Sequence, residues 1–185
     1  MIDNSGHHRG NSTEALLDKT AILAVLNIRP GQVLLEAGCG NGYMAKEFLR
    51  LTGAAGFVYA VDRSEIAIEL LKKEKNGDNF RALQADITQC IELPDFSIDI
   101  IYLSAVYHIF TAEQKNKFNE IVSRLLKPGG KLAVVEIEKI ATRFGPPLAR
   151  RVSPEELSRE ISLTPVSLTR AGESFYLQIF KKEQI

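Results

Sequence analysis

This chain has few unusual surpluses, and its shortages narrow what it can be. Two cysteines in 185 residues, Cys39 and Cys90, form neither a disulfide framework nor a metal-binding spacing. They read as thiols of a reducing compartment. Charge of either sign is not in excess, since Lys and Arg number 23 and Asp and Glu number 23. No strongly basic stripe is visible, which disfavours nucleic acid as a partner. No apolar run approaches the roughly 20 residues that span a bilayer, and the first residues lack the apolar core of a signal peptide. A cytoplasmic, soluble protein without a membrane span is expected. The pair His7-His8 has no acids at ligand spacing, so no metal is expected either.

What is present suffices for one core. Hydrophobic residues make up 45% of the chain, which predicts one domain over residues 1–185, with 1–11 as a flexible polar tail. The informative stretch is Val33-Leu34-Leu35-Glu36-Ala37-Gly38-Cys39-Gly40-Asn41-Gly42. It reads as a buried strand running into a glycine turn, and the apolar spacing after Tyr43 predicts a helix. Such a junction presents bare N–H groups at a helix N-terminus. Ahead of it, Ser12 or Thr13 is placed to cap a helix reaching Leu26. Behind it, strands are predicted at Phe57–Val61, Phe80–Ala85, Ile98–Leu103 and Lys131–Ile137. Helices are predicted from Ser64, from Ala112 to Leu126 and from Ser153-Pro154. The chain then closes with a hairpin, Pro165–Thr169 and Ser174–Phe180. Strands alternating with helices predict a parallel sheet covered on both faces, with an antiparallel edge added last.

A glycine turn after a strand is common, and alone it could be a tight junction and nothing more. The strand ends say more. The first runs into the turn, the second ends at Asp62, the third at Asp86 and the fourth at Ser104. In open α/β sheets, ligands bind outside these carboxyl ends. An acid about 20 residues after the turn is placed for ribose hydroxyls. Asp86 would then face an adenine amino group. The turn reads G-x-G-x-G, with Tyr43 where a dinucleotide fingerprint needs its last glycine. Glu36 would repel a pyrophosphate but would suit a ligand bearing an ammonium or sulfonium. An adenosine with a cationic, zwitterionic 5′ substituent fits, which describes S-adenosylmethionine.

On these residues the chain resembles class I S-adenosylmethionine-dependent methyltransferases over nearly its whole length. Leu35 to Gly42 resembles the family's first motif and Val61-Asp62 its acidic second. Ala85-Asp86-Ile87 is similar to the adenine-side motif, and Phe96-Ser97-Ile98-Asp99 with the fourth strand to the next one. Leu126 to Leu132 is similar to the approach to strand five. Within the family it most resembles the small-molecule branch of ubiquinone/menaquinone and arsenite methyltransferases. The implied fold is α/β: a Rossmann-like, seven-stranded, mostly parallel sheet with an antiparallel C-terminal strand, in three layers. The resemblance implies that Gly38, Cys39, Gly40, Asn41 and Gly42 lie against the methionine and ribose of the cofactor. Glu36 would orient its amino end, directly or through water, and Asp62 would take the ribose hydroxyls. Arg63 would flank the adenine, which Asp86 and Ile87 would meet, and Ser104 or Ala105 would present a carbonyl below the methionyl part. S-adenosylhomocysteine would be the product. A catalytic role for the Cys39 thiol is disfavoured.

Methyl transfer from a sulfonium is an in-line displacement, so most of its catalysis is positioning and desolvation. A base is needed only for a protonated acceptor, and His108 is the best candidate, with a packed helix-cap role as its alternative. Tyr107 is a weaker one, and Glu136 and Glu138 could face either acceptor or solvent. The fourth strand runs into Ser104-Ala105-Val106-Tyr107, not the Asn/Asp-Pro-Pro-aromatic signature, so methylation of an adenine amino group is disfavoured. Neither cysteine stands where a cytosine-methylating nucleophile would, and arsenite is disfavoured for want of three clustered cysteines. Two other classes compete. One is a nicotinamide-dependent dehydrogenase, which the missing glycine and Glu36 oppose. The other is a non-catalytic regulatory or scaffold protein that binds S-adenosylmethionine or S-adenosylhomocysteine. A short N-terminal helix and the loop 144–151 are the only cover for an acceptor, which suggests a small molecule or an open site shared with a partner. Monomer and homodimer both remain open.

Overall fold

The computed structural model describes residues 13–74, 76–89 and 91–184. The expectations for the 1–11 tail, the Ser12 cap and Cys90 lie outside the described residues. Seven strands form one sheet: β1 (Val33–Ala37), β2 (Phe57–Asp62), β3 (Phe80–Gln84), β4 (Ile98–Ser104), β5 (Leu126–Ile137), β6 (Thr164–Arg170) and β7 (Phe175–Lys181). Their order is β3-β2-β1-β4-β5-β7-β6. The first five are parallel, and β7 enters antiparallel between β5 and β6. Among the described residues, five α-helices cover the faces: α1 (Lys19–Leu26), α2 (Tyr43–Thr52), α3 (Glu65–Lys73), α4 (Ala112–Leu125) and α5 (Pro154–Glu160).

Burial on both faces explains the near-continuous apolar runs of the central strands. Along β1, Leu34 packs with Ile22 and Leu26 of α1, Phe48 of α2 and Ile68 of α3. Its neighbours Leu35 and Ala37 join the opposite core with Phe118 of α4 and Leu157 of α5. The helix starts are chemically marked. Ser64 accepts the Ala67 N–H, and Thr111 and Ser153 make full capping boxes at α4 and α5.

The first helix departs from the expectation. A 3-10 turn, Thr13–Leu16, precedes a break, and α1 begins only at Lys19 with Asp18 as its cap. The cause is tertiary: Leu17 bridges Gly172, and the Asp18 N–H donates to Ala171 O at 2.8 Å. Strand five starts earlier than expected, because Leu126 already pairs with Ile98 before the register shifts around Lys127 to Gly130.

Register sets the functional rim. Ala37 lies level with Val61 and Leu103, Asp62 with Gln84, and Ser104 with Val135. The order reverses between β1 and β4, which opens a crevice at their carboxyl ends.

Candidate functional site

The glycine turn is held from β2. Gly38 and Cys39 both donate to Val61 O, at 2.8 and 3.0 Å. One oxygen of Asp62 accepts Gly40 N–H at 2.8 Å, and the other accepts Ser64 N–H at 2.8 Å. A single carboxylate thus ties the turn to the start of α3. Gly38 is required: at φ +76 a Cβ there would sit 2.5 Å from a Val106 methyl. Gly42, at φ +75, would strike Leu71 in the same way.

The start of α2 is less bare than expected. Tyr43 N–H donates to Asn41 Oδ1 at 3.0 Å, and Ala45 N–H donates to Glu36 Oε2 at 2.7 Å. Glu36 therefore occupies a donor that a phosphate would otherwise use. The residue is 5% exposed. Burial pushes its pKa up to about 8 against the pull of the Ala45 N–H, with Asp62 and Glu14 adding repulsion.

Two cavities meet at this rim, and Gly38 lines both. The larger, about 300 Å³, is walled by Glu36, Cys39, Asn41, Tyr43 and Ser104, with Glu14 beside them. The smaller, about 120 Å³, is walled by Asp62, Arg63, Asp86 and Ile87 together with Val106 and Phe110. All eleven cofactor-side residues expected from the sequence are thus at or beside one crevice, save that Gly42 acts through the turn's backbone. Asp86 is partly spent on its own loop: it accepts Thr88 N–H and Oγ1–H at 2.8 and 2.6 Å, and lies 3.6 Å from Arg63 Nε. Val106, Ile109 and Phe110 were not anticipated as walls. Their i, i+3, i+4 spacing after strand four was the available signal. A wider groove, about 960 Å³, borders the turn on its α2–α3 side, and Ile66 and Leu70 lie open there.

His108 lines neither cavity, although its neighbours Val106 and Ile109 line the smaller. Its Nδ1 lies 2.7 Å from Glu136 Oε2, and its backbone N–H donates to Glu136 Oε1 at 3.2 Å. The His108 side chain is 10% exposed and Glu136 is fully buried. Glu136 thus faces neither acceptor nor solvent, because a buried carboxylate needs both of those donors. Tyr107 is also buried, its ring against Phe110 and Phe118, which removes it as a base. Glu138 is half-buried at the rim. Beyond it, the 5%-exposed Arg151 organises the covering loop. Its guanidinium donates to the carbonyls of Glu138, Ile140, Phe144 and Pro146 and to Thr142 Oγ1.

Residues 35–134 match the model of a family described as a methyltransferase domain. The chain belongs to this family. It is a class I S-adenosylmethionine-dependent methyltransferase domain, and the match covers β1 to the middle of β5. A Francisella tularensis protein named ubiquinone/menaquinone biosynthesis C-methyltransferase UbiE is 27% identical over 161 residues, 85% of this chain and 62% of that one. The chain spans about half to three-fifths of the length of such curated relatives, 48% and 62% in two cases. Among solved structures, an Aquifex aeolicus SAM-dependent methyltransferase aligns with TM-score 0.80 at 23% identity, covering 93% of both chains. The Burkholderia thailandensis 1,6-didemethyltoxoflavin-N1-methyltransferase, solved with 1,6-didemethyltoxoflavin and S-adenosylhomocysteine, aligns with TM-score 0.67 at 22% identity, covering 89% of this chain and 76% of that one. These two likenesses concern the fold.

Within the methyltransferase domain Cys39 stands in the wall of the larger cavity. It is buried, and burial beside Glu36 and Asp62 pushes its thiol far above the ordinary cysteine range. Among the described residues no group of three His, Cys, Asp or Glu could hold a metal, and no helix is long and apolar enough to cross a membrane.

Proposed function

We propose that this domain binds S-adenosylmethionine across the two cavities and transfers its methyl group to a small-molecule acceptor, leaving S-adenosylhomocysteine. The observation that carries this reading is the pair of cavities joined at Gly38, one acidic and one flanked by Asp62 and Asp86. The residues fit the group: glycine stands where a Cβ would close the crevice, and a buried Ser104 hydroxyl without a partner among the described residues belongs to its wall. When bound, S-adenosylmethionine supplies an electrophilic methyl on a sulfonium. Asp62 offers its carboxylate to the ribose hydroxyls while keeping the turn closed through Gly40. Val106 and Ile87 flank the adenine space, and Asp86 offers an acceptor at its edge. Holding the donor's reactive end in a fixed position against the acceptor favours in-line displacement.

Glu136 holds His108 with Nδ1 as the donor, which leaves Nε2 free to take a proton from an acceptor hydroxyl. The names of the curated relatives support a small molecule as acceptor and, more finely, a carbon as the acceptor atom. The alternative of a non-catalytic binding protein gains no support from the family or its relatives. Transfer of radiolabel from methyl-labelled cofactor to a cell extract, fractionated by size, tests the reading. Label in the small-molecule fraction is expected. Label confined to protein or nucleic acid, or none at all, would overturn it.

A further inference from the structure

The loop that follows β5 reverses the usual placement of charge and apolar surface. Its Arg151 guanidinium is buried, while Ile140, Phe144 and Leu148 are 51%, 40% and 48% exposed. The arrangement is braced. The carbonyls of Ile140, Phe144 and Pro146 come to 2.6, 2.8 and 2.9 Å from that one guanidinium. Drawing the carbonyls onto a single point sets these residues side by side. Leu148 stands beside them on a 3-10 turn, Leu148–Arg150, that runs directly into Arg151. Apolar side chains held half open on a fixed loop mark a contact surface. Charge surrounds them with one sign. Residues 139–154 carry four cations, Lys139, Arg143, Arg150 and Arg151, and no Asp or Glu, in a chain whose charges balance overall. Lys139 is paired with Glu156 and Arg151 is spent on the loop. Arg143 and Arg150 are left exposed, with no ion pair among the described residues. The bordering acids do not offset them: Glu138 is half-buried, Glu155 accepts from Ser153 and Glu156 holds Lys139.

We infer that the loop 139–150 is a docking surface for an anionic lipid bilayer: Ile140, Phe144 and Leu148 enter the headgroup boundary, and Arg143 and Arg150 pair with lipid phosphates. Charge complementarity chooses the occupant, since unpaired guanidinium groups around apolar tips match an anionic headgroup layer over hydrocarbon. The size of the surface favours lipid over a protein partner. A stable protein interface covers about 800 Å² on each side, whereas a bilayer needs no matching contour and accepts a few side chains from one loop. The loop leaves the carboxyl end of β5, so docking turns the functional rim of the sheet towards the lipid. The inference stands apart from the cofactor reading and does not depend on it.

The test is co-sedimentation of the full chain with vesicles of phosphatidylcholine alone or with about one-third phosphatidylglycerol. Binding to the anionic vesicles is expected, at least tenfold tighter than to the neutral ones, and weaker as salt rises from about 0.1 M to 0.5 M. Each cation removed should cost about fivefold, so Arg143→Gln with Arg150→Gln should weaken binding about twentyfold. Ile140→Ser with Leu148→Ser should weaken it at least tenfold, with the unfolding midpoint showing that the variant still folds. The chain has no tryptophan, so one introduced residue reports its own surroundings. The emission of Leu148→Trp should shift to the blue on anionic vesicles. That of Ile66→Trp, exposed on α3, should not. No binding to anionic vesicles, or equal binding to neutral ones, would overturn the inference. A blue shift at Ile66→Trp and none at Leu148→Trp would place the contact on another face and overturn it too. If vesicles are ignored and the chain instead elutes as a dimer that Ile140→Ser with Leu148→Ser dissociates, the surface belongs to a second copy and the lipid assignment is wrong.

Discussion

The two halves of the rim are built by different means. On the cofactor side, the functional groups cluster at the strands' carboxyl ends and in the turns after them: Glu36 is next to last in β1, Asp62 ends β2, Ser104 ends β4, and Gly38 follows β1. Backbone geometry fixes them, and their partners are backbone N–H groups, such as those of Gly40 and Ser64 on Asp62. On the proposed acceptor side the same work falls to long side chains. Glu136 reaches back 28 residues to His108, and Lys139 pairs with Glu156. Arg151 gathers an entire loop onto one guanidinium. The first design carries a chemistry shared across a family. The second rests on side chains that a few substitutions could replace, and under the proposed function it is the part that meets the acceptor.

If the halves are separable, breaking one should spare the other. The largest effect is expected from Arg151→Leu. It removes five hydrogen bonds from a buried cation and leaves several acceptors unpaired. A loss of roughly 3 kcal/mol or more in stability is expected. Denaturant unfolding measures it, and faster proteolysis within residues 138–150 should accompany it. Affinity for S-adenosylhomocysteine should stay within about twofold. A larger loss would join the two halves into one unit.

The next effect has the opposite sign. The Glu36 carboxyl is raised from 4.5 to about 8 in the folded protein. The native state therefore holds a proton that the unfolded chain has lost, and stability falls as pH rises from about 4.5 towards 8. Glu36→Gln keeps an acceptor for Ala45 N–H and removes this penalty. The ligand-free variant should gain a few kcal/mol above pH 8 and almost nothing at pH 4, since each unit is about 1.4 kcal/mol. Unfolding curves at the two pH values decide it, and an equal gain at both would remove the titration from the account.

The difference between the halves also decides how much was legible in the sequence. Strand ends, glycine spacing and the position of Glu36 are local patterns, so the sheet, its closing hairpin and the cofactor-side residues could be read from the chain. The break at Leu17-Asp18 could not, because it arises from Gly172 and Ala171 at the far end of the chain. Nor could the fate of Glu136, which reads as a rim acid and is instead buried beneath His108. The family match tells the same story, ending at residue 134, before Glu136 and Arg151. Periodicity finds a strand's end; it does not find which distant side chain comes to rest there.

A smaller effect probes the cofactor half directly. Asp62→Ala removes the proposed ribose acceptor and the clamp on Gly40 together. Calorimetry should show S-adenosylhomocysteine binding weakened at least tenfold, about 1.4 kcal/mol. The Nδ1 signal of His108 in a nitrogen-15 spectrum should not move. Unchanged affinity would refute the ribose assignment.

The subtlest expected change is on the acceptor side. An ionised carboxylate only accepts, so Glu136 requires hydrogen on His108 Nδ1 and leaves Nε2 bare. In Glu136→Gln the carboxylate gives way to an amide, with one oxygen and one N–H₂ group. The His108 backbone N–H, already on one Glu136 oxygen at 3.2 Å, would claim the amide oxygen. The N–H₂ would then face Nδ1, which could satisfy it only as an acceptor. The hydrogen must move to Nε2, the atom proposed to take the acceptor's proton. The substitution conserves shape, so stability should change by no more than about 1.5 kcal/mol. The chain has three histidines, two of them the adjacent His7-His8, so the third can be followed in a nitrogen-15 spectrum. The native protein should show Nδ1–H and Glu136→Gln should show Nε2–H. Once an acceptor is in hand, kcat should fall with little change in KM. If the tautomer stays where it is, Glu136 is packing for the turn and the base must be sought elsewhere on this rim.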